Sequence, residues 1–361
     1  MTSEEKKKRR NTIINAVILI VMVALTLWVL LKDQDLPLIF RELMEVRPVY
    51  LLLGALLVIL FVCGESVIIK ILLNAANTKA PLRHCIQYSF IGFFYSMITP
   101  SATGGQPMQI FYMRRHGIRV GTGSVVLMLV TIEYKSVLIL TGLFLFLFCR
   151  PLMQSLDPAV RTLFWFGLFL NVLFVAALAV LAFMPRFAHK LVRGLFGKLS
   201  KIRFLHLTEA RLQRVENGMD VYKEASSLIR GHVKTIIFTQ LLTFLQRFIL
   251  FALTYLVYVS LELRGAKLFP MIGRQAIVAI SSDMLPTPGG LGFNEFVYMR
   301  IFEPVFGSDL MTTVSLTMSR GFSYYFLVIV SGIVTLGAHI VMTVRSRHKK
   351  QGSETQKNSD K

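Results

Sequence analysis

Six stretches of the chain stay apolar for about 20 residues or more, the length a helix needs to cross a hydrocarbon core roughly 30 Å thick. They fall at about residues 12–31, 50–73, 121–149, 163–184, 235–259 and 310–342. Lipid cannot satisfy backbone N–H and C=O groups, so a spanning segment must be a helix or part of a closed barrel. Stretches this long select helices, and the expected fold class is an all-α polytopic membrane protein. The third and sixth are longer than one straight crossing and are expected to tilt or to carry a break. Composition agrees, because 54% of the 361 residues are hydrophobic, 28 are Phe and only 17% are charged. Such a balance lies outside the soluble globular range and excludes a reading as two soluble domains.

The formal net charge is +20, from 40 Lys plus Arg against 20 Asp plus Glu. In a soluble protein that excess would suggest nucleic acid. Here it sits beside apolar stretches, in "EEKKKRR", "RRHGIR", "HKLVRGLFGKLSKIRF" and "RSRHKK", so no nucleic-acid partner is expected. Basic runs beside spans report orientation first and attraction to anionic lipid headgroups second. With residues 1–11 as a cytoplasmic basic N-terminus and 12–31 as a retained first span, the basic segments all fall on the cytoplasmic side. The polar tail 346–361 falls there too. The expected location is the cell membrane, multi-pass, with both termini cytoplasmic. The cytoplasmic insertion 185–231 alternates apolar and basic residues at helical spacing and reads as amphipathic helices on the membrane surface. A solvated connector is the other reading for its second half. Cys63, Cys85 and Cys149 have no paired spacing, so neither a disulfide framework nor a metal site is read from them.

Two further apolar pieces, 84–116 and 268–300, each hold a helix-length run, a Pro and Gly break and a shorter return. Both read as re-entrant helical hairpins, whose broken backbone survives at membrane depth only inside protein or beside a wet cavity. They repeat one motif at an offset of 186 residues. Pro100 meets Pro286, Gly104 meets Gly290, Tyr112 meets Tyr298, Met113 meets Met299 and Arg114 meets Arg300. Ser96 meets Ser282, while Ser101 and Gln109 face Thr287 and Glu295. Three spans separate the hairpins, an odd number, so the two would enter from opposite sides as an inverted repeat. The first repeat is 12–149, with two spans, the hairpin 84–116 and a third span. The second is 150–345, with two spans flanking the insertion, the hairpin 268–300 and the last span. Inverted repeats with broken helices are a transporter architecture, with the site where the breaks converge.

A Gly-rich turn before a helix start presents unpaired N–H groups and the positive end of the helix dipole, which suits an anion. Gly104, Gly105, Gly289 and Gly290 would let backbone approach a phosphate, and Pro107 suits a first helical turn. Pro100, Ser101, Gln106, Pro286 and Pro288 complete the two breaks as candidate substrate contacts. The alternative is that these residues only shape a tight turn and let helices pack. Ionisable residues within apolar surroundings are the second signal, because an unpaired charge there is costly. Glu65, Glu133, Lys135, Arg247, Arg274, Asp283, Glu295 and Arg320 are of this kind. Lys135, Arg247 and Arg320 are candidates to neutralise a lipid phosphate; Glu65, Glu133 and Glu295 to meet a cationic headgroup. Glu65 and Glu133 are also expected as intramembrane charge partners. Glu133 and Arg320 lie 33 and 34 residues beyond Pro100 and Pro286, so they are expected to approach each other or line one cavity. Arg274 fits best as a charge snorkelling to the interface. No nucleophile motif, metal spacing or nucleotide loop occurs, so no catalytic residue and no cofactor are expected.

The stretches "TPSATGGQPMQIFYMRRHGI" and "MLPTPGGLGFNEF" resemble the lysylphosphatidylglycerol synthase transmembrane-region family, over about residues 15–342. That resemblance implies a fold similar to the N-terminal flippase part of the multiple peptide resistance factor, which moves aminoacylated phosphatidylglycerol between leaflets. It implies a flippase-like lipid transporter with a phospholipid substrate, in lipid metabolism and antibiotic resistance. The full-length factor carries a soluble aminoacyl transferase domain after its membrane part. Here "RSRHKKQGSETQKNSDK" follows the last span, so the expectation is transport, with a separate lipid-modifying synthase as a partner. The alternatives are a phosphatidylglycerol lysyltransferase, which would be an enzyme, and a scaffold whose hairpins pack dry.

Overall fold

The computed structural model describes residues 37, 41, 44–99, 102–184, 222–224, 226–227, 231–285 and 292–342. The expected first span at 12–31, nearly all of the insertion 185–231 and the tail lie outside them. So do Pro100, Ser101, Pro286, Pro288, Gly289 and Gly290. Within the described residues the protein is all-helical, with no strand.

Among the described residues, five helices are long and apolar enough to cross a bilayer. The first, α1, runs Pro48–Ala75. The first hairpin follows as α2, Leu82–Ile98, and α3, Gly105–Arg115. Helix α4, Val120–Phe148, is the second span and runs unbroken. The short α5, Arg150–Gln154, leads into α6, Pro158–Phe183, the third span. Asp157 starts α6 by accepting a hydrogen bond from the Ala159 N–H at 2.9 Å, with Pro158 placed where no N–H is needed. The fourth span is α7, Val233–Phe251, with α8, Leu253–Ser260, separated by a slight break at Ala252. The second hairpin is α9, Leu268–Ser282, with α10, Phe293–Phe306. The last span, Asp309–Met342, begins as α11, Asp309–Arg320, and then relaxes into a π-helical segment, Gly321–Phe326.

The third expected span, long enough for a break, has none. The sixth carries one as the π segment directly after Arg320, and the fifth carries a break that its even hydrophobicity did not announce. The 186-residue offset extends from motif to element order. Moved by 186, Leu82 at the start of α2 becomes Leu268 at the start of α9, and Pro48 of α1 falls one residue past Val233 of α7.

Helix α4 is the hub, packing against α1, α3, α6, α7 and α9. It is 56% buried over its most apolar window, against 22% for α6, which therefore turns most of its surface outward. Two glycines set how closely the hairpins dock. A Cβ on Gly105 would come within 2.7 Å of the Gly92 carbonyl oxygen, so the arms of the first hairpin touch backbone to backbone. A Cβ on Gly167 would overlap the Ile280 carbonyl, so α6 meets α9 in the same manner. Small residues at such crossings replace the hydrophobic drive that lipid removes. His84 and His116 stack with ring centroids 3.9 Å apart, and the Tyr88 hydroxyl reaches His116 Nδ1 at 2.8 Å, closing the first hairpin at its open end.

Candidate functional site

The two hairpins meet a common cavity of about 670 Å³ inside the helical body. Ser96, Ala102, Thr103, Gln106 and Pro107 line it from the break of the first hairpin. Asp283, Met284 and Leu285, where α9 ends, line it from the second. Glu65 of α1, Tyr134 and Lys135 of α4, Phe174 of α6 and Arg247 of α7 complete the wall. The formal charge of that lining balances, with two acids, Glu65 and Asp283, and two bases, Lys135 and Arg247.

Each charge is held differently. Lys135 donates to Asp283 in an ion pair whose side chains are only 8% and 12% exposed, and the Tyr134 hydroxyl donates to the other carboxylate oxygen. A buried pair with its remaining acceptor filled is the arrangement that tolerates burial. Glu65 accepts from Gln109 of α3 at 3.3 Å. Arg247 has no ion pair within contact distance among the described residues. Its guanidinium carbon lies 3.5 Å from the Tyr134 ring centroid and 5.0 Å from that of Phe61. Its Nε is buried without a hydrogen-bond acceptor among the described residues. A guanidinium stacked on aromatic faces keeps its N–H edge available for an anion.

The first break packs in a way the motif did not disclose. Gly104 has an ordinary right-handed conformation, and its N–H donates to Thr99 Oγ1 at 2.9 Å. Gly105 serves the close approach to Gly92. The turn and packing reading therefore accounts for both glycines. Gln106 instead reaches across to Thr131 and to the Leu127 carbonyl of α4, and Pro107 lines the cavity.

Of the described candidates, the structure brings Gln106, Pro107, Lys135, Arg247 and Glu65 together in one cavity. Glu295 and Arg320 do not join them. Glu295 accepts the Gly292 N–H at 2.6 Å, capping α10, and pairs with Arg320 at 2.6 Å. Glu133 and Arg320, expected to approach each other or line one cavity, take different partners among the described residues. Glu133 is buried against α7, where Thr239 and Thr243 donate hydroxyl hydrogen bonds to its carboxylate. The physical reason is which helix faces meet, since Glu133 faces the threonines of α7 and Glu295 faces Arg320 of α11. The sequence reading passed over Asp283, Tyr134 and Thr131 as site residues. Asp283 was legible as a charge three residues before Pro286, at the end of a broken helix.

Helices long and apolar enough to span, with a cavity among them lined by charged side chains from several helices, define a polytopic membrane protein with an internal polar site. A model of the family described as "Lysylphosphatidylglycerol synthase TM region" matches residues 13–331. The chain belongs to that family. No curated protein matches the chain.

Proposed function

We propose that the protein is a flippase-like transporter that passes a polar phospholipid headgroup between leaflets while the acyl chains stay in lipid. The observation that carries this reading is the cavity itself: four ionisable side chains among apolar helices, between the turn of the first hairpin and the end of α9. A membrane protein keeps charges at such a depth where a charged or polar group must pass. Arg247 would take the headgroup phosphate first, through the N–H edge that its aromatic partners leave free. Lys135 would join when its pair with Asp283 opens. Glu65 and the released Asp283 would then face an amine on the headgroup. Gln106 supplies a neutral donor from the first break.

On this reading the hairpins belong to inverted repeats that alternate in opening the cavity to each leaflet. The N- and C-termini would be cytoplasmic, the membrane would be the cell membrane, and a separate synthase would supply an aminoacylated lipid. The test is reconstitution of the full chain into vesicles carrying fluorescent phospholipids of several headgroups, with leaflet-specific quenching. Wild-type protein speeds exchange over empty vesicles, and an Arg247→Ala, Lys135→Ala variant does not. Equal rates for the two proteins overturn the reading. Lipid aminoacylation, the activity that the family's description brings to mind, is scored in parallel by adding charged tRNA and looking for lysyl lipid.

A further inference from the structure

A second cavity of about 960 Å³ lies beyond the first along α4 and shares no lining residue with it. That volume is at the upper end of the roughly 300–1,000 Å³ of ordinary ligand pockets. Its walls are apolar: Leu140 and Phe144 of α4, Phe244 and Phe248 of α7, and Phe269 of α9. Phe144 and Phe269 are 55% and 78% exposed, so the groove opens sideways, onto the face that lipid covers. Among the described residues one charged side chain lines it, Arg274 of α9.

Arg274 has no hydrogen-bond or ion-pair partner among the described residues, and no Asp or Glu lines the groove. The contrast with the inner cavity is a matter of charge, since there two acids offset two bases. An arginine beside apolar walls without a counter-ion is costly in a bilayer. A phosphate relieves it best, because the planar guanidinium matches two phosphate oxygens at once. The phenylalanines that run beside it suit a hydrocarbon chain. A headgroup that carries its own cation finds no acid here to receive it.

We propose that this groove is a binding site for a phospholipid of net negative charge, its phosphate on Arg274 and one acyl chain along Phe144, Phe248 and Phe269. The site is separate from the translocation cavity, since Arg274 precedes Asp283 by nine residues on α9, about 14 Å along a helix. It stands whether or not the inner cavity moves lipid.

The test is mass spectrometry of the intact, delipidated full chain after incubation with equal phosphatidylglycerol and phosphatidylcholine of identical acyl chains. One phosphatidylglycerol is expected to be retained at least fivefold over phosphatidylcholine. Arg274→Gln should erase that preference, Arg274→Lys should keep part of it, and Arg115→Gln, an exposed cation elsewhere, should leave it intact. Thermal melting of each variant shows whether it is folded. A phosphatidylglycerol bearing a photoreactive acyl chain should label peptides from 140–152 or 268–274. Equal retention of the two lipids, an unchanged adduct in Arg274→Gln, an equal loss in Arg115→Gln, or labelling confined to other segments would each overturn the site.

Discussion

Lys135 and Asp283 form an ion pair across 148 residues of sequence, tying the hub helix α4 to the end of the second hairpin's first arm. Tyr134 completes the carboxylate, so one turn of α4 holds both oxygens of Asp283. The pair therefore fixes the end of α9 to the cavity wall.

Removal of one member leaves the other charge nearly buried and alone. Asp283→Ala is expected to destabilise the protein by about 3 kcal/mol, read as a lower melting temperature in detergent. The double variant Lys135→Met, Asp283→Leu should regain most of that stability but not lipid exchange. Recovery of both properties would make the pair a structural strut alone.

Arg247 tests whether geometry or charge matters in the cavity. Arg247→Lys keeps the charge but loses the planar stack on Tyr134 and the forked N–H edge. Lipid exchange is expected to fall roughly tenfold or more, the equivalent of one charge-assisted hydrogen bond. An unchanged rate in the vesicle assay would remove Arg247 from the site.

Gly105→Ala places a methyl group 2.7 Å from the Gly92 carbonyl oxygen. Overpacking of that kind costs about 1–3 kcal/mol. At Gly117, with φ at +87° and nothing near an added Cβ, alanine brings backbone strain alone. There the loss should be smaller, about 1 kcal/mol. Melting curves of the two variants side by side distinguish close packing from turn strain as the glycines' role.

Glu295 joins a helix cap to an ion pair, so Glu295→Gln should weaken both at once. Faster amide hydrogen exchange at the start of α10 is the expected outcome, at a stability cost of about 1–2 kcal/mol. Lipid exchange should change less than in the Arg247 variants, because Glu295 and Arg320 do not line the cavity.

Much of the architecture was legible in the sequence because a bilayer leaves a chain few choices. Apolar lengths located the five described spans to within about five residues at each end, and the shorter helix pairs lie on either side of the Pro and Gly runs in the sequence. Lys135 and Arg247, singled out in the sequence by their charge alone, both line the cavity. Pairing was not legible. Glu133, Glu295 and Arg320 looked equivalent to them in sequence, yet Glu133 is satisfied by two threonines of α7, and the other two by each other. Partner choice depends on which helix faces come together, and apolar composition does not encode a face when the whole surface is greasy. The break at Ala252 was hidden for a similar reason, since no Pro or Gly marks it.

The way Arg247 is held sets an order of events. An anion that approaches Lys135 must compete with a carboxylate already in place, whereas Arg247 makes no ion pair within contact distance among the described residues and its Nε has no acceptor among them. First contact at Arg247 breaks no bond already made; the second, at Lys135, does. On the proposed transport reading, a ligand captured loosely and then committed by a single exchange of partners would give the protein a built-in pause between sampling a headgroup and accepting it.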